Sequence, residues 1–258
     1  MTINIKGFNP NSFYTGLVAP IKNAPCFRGD SASFGVSDTF TQNSELSPYL
    51  SKEAVLTMMA MNPKVRKILD TNGVKEEVNL QELKKLANGH LKETKALAAG
   101  IINNLPSDIK QGVNRQAVLQ AAMFHDFGKV LIPNSIVNKQ GRLNEKERAV
   151  MELHSVLGFE LLKTQNISPK ALELIKYHHQ NKMGDGYPQN DGSFVYGIEA
   201  EIVAIADKYS ALTEKRSYKP ALKPEEALRI ICDEMPQSPV RDALVAHIAG
   251  TLPTISAN

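Results

Sequence analysis

Residues 117–133 read AVLQAAMFHDFGKVLIP, and this stretch decides the fold. Ala117, Val118, Ala121, Ala122 and His125 recur at the i, i+3, i+4 spacing of a buried helical stripe, so the histidine closes the apolar face of a helix. Gly128 ends or bends that helix, and Pro133 blocks any return to it. An imidazole and a carboxylate, His125 and Asp126, are thereby delivered side by side at the edge of a core.

Working outward, four more helices carry a polar residue on their inward face. Asn79 and Glu82 have the spacing of a capping box, after which Leu83, Leu86, Ala87, His90, Leu91, Thr94 and Leu97 form a buried stripe that turns His90 inward. Asn144 and Glu147 form a second box, opening a helix with Val150, His154, Leu157, Leu161 and Leu162. Ser168 and Pro169 start a helix whose Ala171, Leu174, Ile175 and His178 share a face, with His179 about 100° further round. On the last helix, Val203 sits one turn before Asp207.

Each of His90, His125, Asp126, His154, His178, His179 and Asp207 follows an apolar residue by three or four positions, which places it at the core edge, where a metal can be screened from bulk water. Imidazole nitrogen and carboxylate oxygen suit Mn, Fe, Ni or Zn, and adjacent His-Asp and His-His pairs can hold two ions within bridging distance. A lone histidine on an apolar face is more often a hydrogen-bonded core residue, and His247, on a helix from Ser238-Pro239 to Gly250, is read that way. The joint pattern is different, because a buried Asp126 or Asp207 without a cation carries a desolvation cost of several kcal/mol.

Four segments, AAMFHDFGKVLIPNSIVNKQGRL (121–143), MELHSVLGFELL (151–162), HHQNKMGDGYP (178–188) and IVAIADKYSALTEKRSYKPAL (202–222), resemble the HD-GYP branch of the HD-domain metal-dependent phosphohydrolases. The dipeptide HD alone is a weak signature; HDFGK, HH and GDGYP in order, followed by the aspartate motif and Arg-Ser-Tyr-Lys, are specific. The resemblance covers about 79 to 235. It implies an all-α helical bundle that hydrolyses the bacterial second messenger cyclic di-GMP at a centre of two or three metals, commonly iron or manganese, with nickel or zinc open. By position it makes the seven residues above the ligands, with Asp126 bridging. It brings Lys129 to the attacked phosphate, and Arg216 and Lys219 to the second phosphate or a guanine. Gly186-Tyr187-Pro188 becomes a surface loop for partner docking or substrate access, with Tyr187 at the substrate. The chemistry fits, since two ions about 3.5 to 4 Å apart activate a water and hold a phosphate oxygen, while lysine and arginine add positive charge.

The chain departs from the family's wording in four places. The usual Glu-Arg after the double histidine is Gln180-Asn181, the aspartate before the loop glycine is Met183, and the usual Asp-x-x-Asp reads Asp207-Lys208-Tyr209-Ser210. These changes remove partners that orient imidazoles. Leu86 stands one turn before His90, where three-metal members have glutamate, and Glu82 lies a further turn away, so two ions are expected.

The expected activity is therefore a phosphodiesterase opening cyclic di-GMP to linear pGpG, GMP or both. The alternatives are a phosphohydrolase on another cyclic dinucleotide and a non-catalytic effector that binds the dinucleotide or a protein. With 258 residues and 42% apolar content, the chain suffices for one substantial core. Residues 1–45, rich in Asn, Ser, Gly, Pro and Phe, read as a disordered N-terminal arm, either a spacer or a partner-binding segment through Phe8, Phe13, Phe27, Phe34 and Phe40. Residues 46–78 read as a helical lead segment, a lid or a homodimer contact, and 79–258 as the catalytic domain. A net charge of +3 with dispersed Lys and Arg argues against a nucleic-acid polymer as partner. No apolar run approaches the ~20 residues that span a bilayer, no secretory signal stands at the N-terminus, and Cys26 and Cys232 form no disulfide framework, which suits the cytoplasm.

Overall fold

Helix-start signals set most of the element boundaries. A computed structural model describes residues 47–86, 91–214 and 220–251. The arm expected over 1–45, and the predicted site residues His90, Arg216 and Lys219, lie outside the described residues.

Ser51 accepts from the Ala54 amide and opens α1 (Lys52–Met61). Asn62 ends it and at once caps α2 (Pro63–Thr71), with Pro63 in the first turn, where its missing N–H costs nothing. The Asn62 amide also donates to the carbonyl and carboxylate of Glu160, at 2.9 and 2.6 Å. Val55, Met58, Met59, Val65 and Leu69 are buried. The lead segment is thus part of the core, packed on the helix that carries Glu160.

Asn79 caps α3 (Leu80–Lys85) by accepting from the Glu82 amide. After the undescribed 87–90 come α4 (Leu91–Asn104), α5 (Ser107–Gly112) and α6 (Arg115–Phe124). A 3-10 turn over Phe127–Leu131 and α7 (Asn134–Val137) lead to α8 (Glu145–Leu162), whose capping box has both reciprocal bonds. Then follow α9 (Pro169–Tyr177), capped by Ser168, α10 (Ile198–Thr213), α11 (Pro224–Glu234) and α12 (Pro239–Thr251).

The architecture is all-α: among the described residues the only strand-like pairing is an isolated bridge between His179 and Tyr187. Helix α4 lies against α6, α10 and α12, while α9 spans α6 and α8. On α4, a Cβ at Gly100 would fall 2.3 Å from the His247 ring of α12, so the half-buried His247 ring packs against α4. No helix among the described residues is long and apolar enough to cross a membrane.

Candidate metal centre

Helix α6 stops one residue short of His125, which keeps helical dihedrals at the C-cap, and the chain then tightens into the 3-10 turn. Two features seat that turn, one against α6 and the other against α8. Phe127 is fully buried and meets Phe124 edge-on, with ring centroids 6.1 Å apart. Gly128 lies so close to α8 that a Cβ there would be 1.9 Å from the His154 carbonyl oxygen and 2.5 Å from the Gly158 nitrogen. The glycine of HDFGK therefore allows the backbone contact that brings Asp126 to His154.

Six of the seven predicted ligands lie among the described residues, and all six converge. Asp126 Oδ1 is 3.4 Å from His154 Nε2, and Asp126 Oδ2 is 3.5 Å from His125 Nε2. His125 Nε2 is 3.3 Å from Asp207 Oδ1 on α10. His154 Nε2 lies 3.2 Å from Nε2 of both His178 and His179. These atoms form two groups with ligand-atom spacing, Asp126/His154/His178/His179 and His125/Asp126/Asp207, and Asp126 belongs to both.

Backbone contacts fix the imidazole tautomers. Nδ1 of His125, His154 and His178 each faces the carbonyl three residues back, at 3.0, 2.7 and 2.7 Å, so each donates its proton there. Nε2 of neutral His154 and His178 then offers a lone pair, and the two lone pairs face each other at 3.2 Å. Acceptors aimed at one another call for a cation between them, so the donor set fits a divalent metal.

The charges say the same. Burial, then the neighbouring imidazoles, hold His178 well below its usual range, and burial brings His154 down to about 3 and also lowers His179. His125 is pulled down by burial but raised more by Asp126 and Asp207, reaching about 9. A proton on His125 thus does between two carboxylates what a metal ion would do. Asp207 is pushed up by burial, yet His125 holds it below the usual carboxylate range. Lys129 places Nζ 2.5 Å from Asp126 Oδ2, and the Asp126 and Asp207 charges outweigh burial to raise it.

Two sequence expectations need correction. His179 is not on the helix of His178: α9 ends at Tyr177, and His179 is held by its bridge to Tyr187. Gly186-Tyr187-Pro188 is less a surface loop than a turn laid on the ligands, with the half-buried Tyr187 ring 4.5 Å from the His179 imidazole. Gln180, which stands where the family has glutamate, donates its amide to the Pro188 carbonyl at 2.7 Å. Asn181 accepts from the Met183 and Gly184 amides and shapes the loop tip, where Met183 is 85% exposed. Ser210, where the family has its second aspartate, is buried with a hydroxyl that has no partner among the described residues. Sequence reasoning also missed Glu82, which is 1% exposed and close enough for its charge to act on Lys129.

The HD domain family matches residues 76–239, more than half of the chain. The cyclic di-GMP phosphodiesterase response regulator RpfG of Xanthomonas campestris is 42% identical over 111 residues, 42% of this chain and 29% of that protein. The 3'3'-cGAMP-specific phosphodiesterase 2 of Vibrio cholerae is 39% identical over 40% of this chain and 20% of its own length. A cyclic di-GMP phosphodiesterase of Thermotoga maritima is 37% identical over 43% of this chain and 31% of its own length. The matched part thus spans less than a third of each of these curated relatives.

Proposed function

The chain belongs to the HD domain family, and from that premise we propose that it is a metal-dependent phosphodiesterase that opens cyclic di-GMP to linear pGpG, GMP or both. The observation that carries this reading is the pair of ligand groups sharing the Asp126 carboxylate. The names of the relatives support a cyclic dinucleotide as substrate.

Divalent ions, iron or manganese in this reading, would supply a nucleophilic water at neutral pH and shield the phosphate charge. The protein's residues prepare for that. His154, His178 and His179 would hold one ion, His125 and Asp207 the other, and Asp126 would bridge the two. Lys129, already on Asp126 Oδ2, is the cation best placed to meet a phosphate oxygen arriving beside that carboxylate. The carbonyls of Ala122, Met151 and Ile175 hold three imidazoles in the tautomer that presents Nε2. Arg216, Lys219 and Tyr187 as substrate contacts, His90 as a further ligand, a catalytic unit over 79–258 and a cytoplasmic location belong to the same reading.

The test is anaerobic incubation of protein loaded separately with Fe(II) and Mn(II), with cyclic di-GMP and 3'3'-cGAMP as parallel substrates, following nucleotides by chromatography. Metal-dependent pGpG or GMP from cyclic di-GMP supports the proposal. Turnover of 3'3'-cGAMP alone would move the specificity to the second relative's substrate, and two bound metals without turnover would favour a binding role.

A further inference from the structure

Of the four ligand histidines among the described residues, three are anchored in one way and the fourth in another. His125, His154 and His178 each lock Nδ1 onto the carbonyl three residues back. His179, past the end of α9, has no such bond among the described residues; an aromatic ring lies against it instead. The Tyr187 ring is tilted 32° to the His179 imidazole at a centroid distance of 4.5 Å, and meets His154 edge-on at 6.1 Å. The turn that delivers the ring is fitted tightly to the ligand pair. A Cβ on Gly186 would lie 2.1 Å from the His179 carbonyl oxygen and 2.7 Å from Gln180 Cα, and the Tyr187 amide reaches the His179 carbonyl at 3.4 Å.

A single side chain closes this turn from its far end. Gln180 is 4% exposed, and its Nε2 donates to the Pro188 carbonyl at 2.7 Å. Pro188 has no N–H, so its backbone can only accept and the partner must donate. An ionised glutamate, the residue usual here in the family that the sequence resembles, offers no donor. The departure at 180 therefore substitutes a different fastening.

We propose that Gln180 is a positioning residue for the metal centre: its amide clasps the Gly186-Tyr187-Pro188 turn onto His179, so that the Tyr187 ring holds the one ligand imidazole among the described residues that no backbone carbonyl fixes. This rests on the metal-centre reading and is independent of which nucleotide is cleaved.

The test is Co(II) binding to the full chain, read by visible absorption and elemental analysis during titration with a chelator. Wild type, Gln180→Leu and Gln180→Glu are compared, the last keeping the side chain's shape while losing the donor. In both variants one ion should leave at roughly 10- to 100-fold lower chelator concentration, the size of effect expected when a ligand's orienting partner is removed. The second ion, at His125, Asp126 and Asp207, should leave as in wild type. A purely structural role predicts instead that both ions loosen together with a fall in Tm of the metal-free protein. That result, or a Gln180→Glu variant that holds both ions like wild type, would overturn the proposal. A wild-type chain that binds fewer than two ions would overturn it along with the metal reading, whereas failure to cleave any nucleotide would touch only the substrate assignment.

Discussion

The two ligand groups share one carboxylate and otherwise differ in chemistry. The group of Asp126, His154, His178 and His179 is built from imidazoles that burial keeps neutral. The group of His125, Asp126 and Asp207 is built from two carboxylates around a histidine that they hold protonated up to about pH 9. Without metal, the first group balances its burial by staying uncharged, and the second by keeping a proton. The lesson is that one centre can prepare two cation sites by opposite means, provided that a single residue belongs to both.

The largest effect should come from breaking that sharing. Asp126→Ala should lose both ions and lower turnover by at least about three orders of magnitude, more than removing one electrostatic stabiliser from an active site does. Asp207→Ala and His178→Ala should each leave one ion bound, on opposite sides of the centre. Elemental analysis of the three variants reads this directly, and an Asp126→Ala protein that keeps one tight ion would show that the groups are independent.

The second test exploits the opposite titrations in metal-free protein. His154 lies at about 3 when folded against its usual 6.5, so unfolding takes up a proton below pH 6.5. Its contribution to stability is present above that pH and is lost as pH falls towards 3, and His178 and His179 act in the same direction. His125, raised to about 9, contributes fully below 6.5 and loses its contribution as pH rises through 9. Three groups oppose one, so the acid limb should be the steeper, with a loss on the order of several kcal/mol between pH 6.5 and 3. Thermal melts of chelator-treated protein should show Tm falling faster below pH 6.5 than above it. The variant His178→Leu should flatten that limb; an unchanged limb would remove the imidazole group as its source.

A third, smaller effect comes from the backbone contact that joins the groups. Gly128→Ala forces a Cβ to 1.9 Å from the His154 carbonyl, where no flexible side chain can yield. A cost of about 3 kcal/mol, the upper part of the usual range for overpacking, corresponds to a Tm lower by roughly 6 to 12 °C. At Gly158 the nearest atoms to an added Cβ are 3.2 and 3.6 Å away, so Gly158→Ala should cost about 1 kcal/mol or less. Equal costs would mean that the turn is not seated on α8 as described.

These contrasts also mark what the sequence could reveal. Caps at Asn79, Asn144 and Ser168 were legible because their bonds close within three residues, and the inward stripes were legible because helical period maps directly onto burial. Those stripes put the ligands on inward faces, and the resemblance gathered them into one set. The end of α9 did not follow from them, because helical period carries straight through His178 and His179, whereas the bridge to Tyr187 takes His179 out of the helix. The bond of Gln180 to Pro188 was not legible, because it depends on a turn whose shape is set by Gly186 and the ligand backbone. The reach of Gly128 onto α8 is a tertiary contact with no signal in spacing.

Glu82 gives the smallest effect and the sharpest check on the count of ions. It is buried, sits on α3 outside both ligand groups, and is the last of the charges that favour protonated Lys129, after Asp126 and Asp207. Glu82→Gln keeps the shape and removes that charge, which should weaken the field at Lys129 by less than about 1 kcal/mol and change turnover by no more than about fivefold. The bound metal should stay at two ions, since neither group uses this carboxylate. If Glu82→Gln instead released an ion, the buried glutamate would be a ligand in its own right. The centre would then have three metal positions, with Glu82 serving in place of the glutamate that Leu86 replaces.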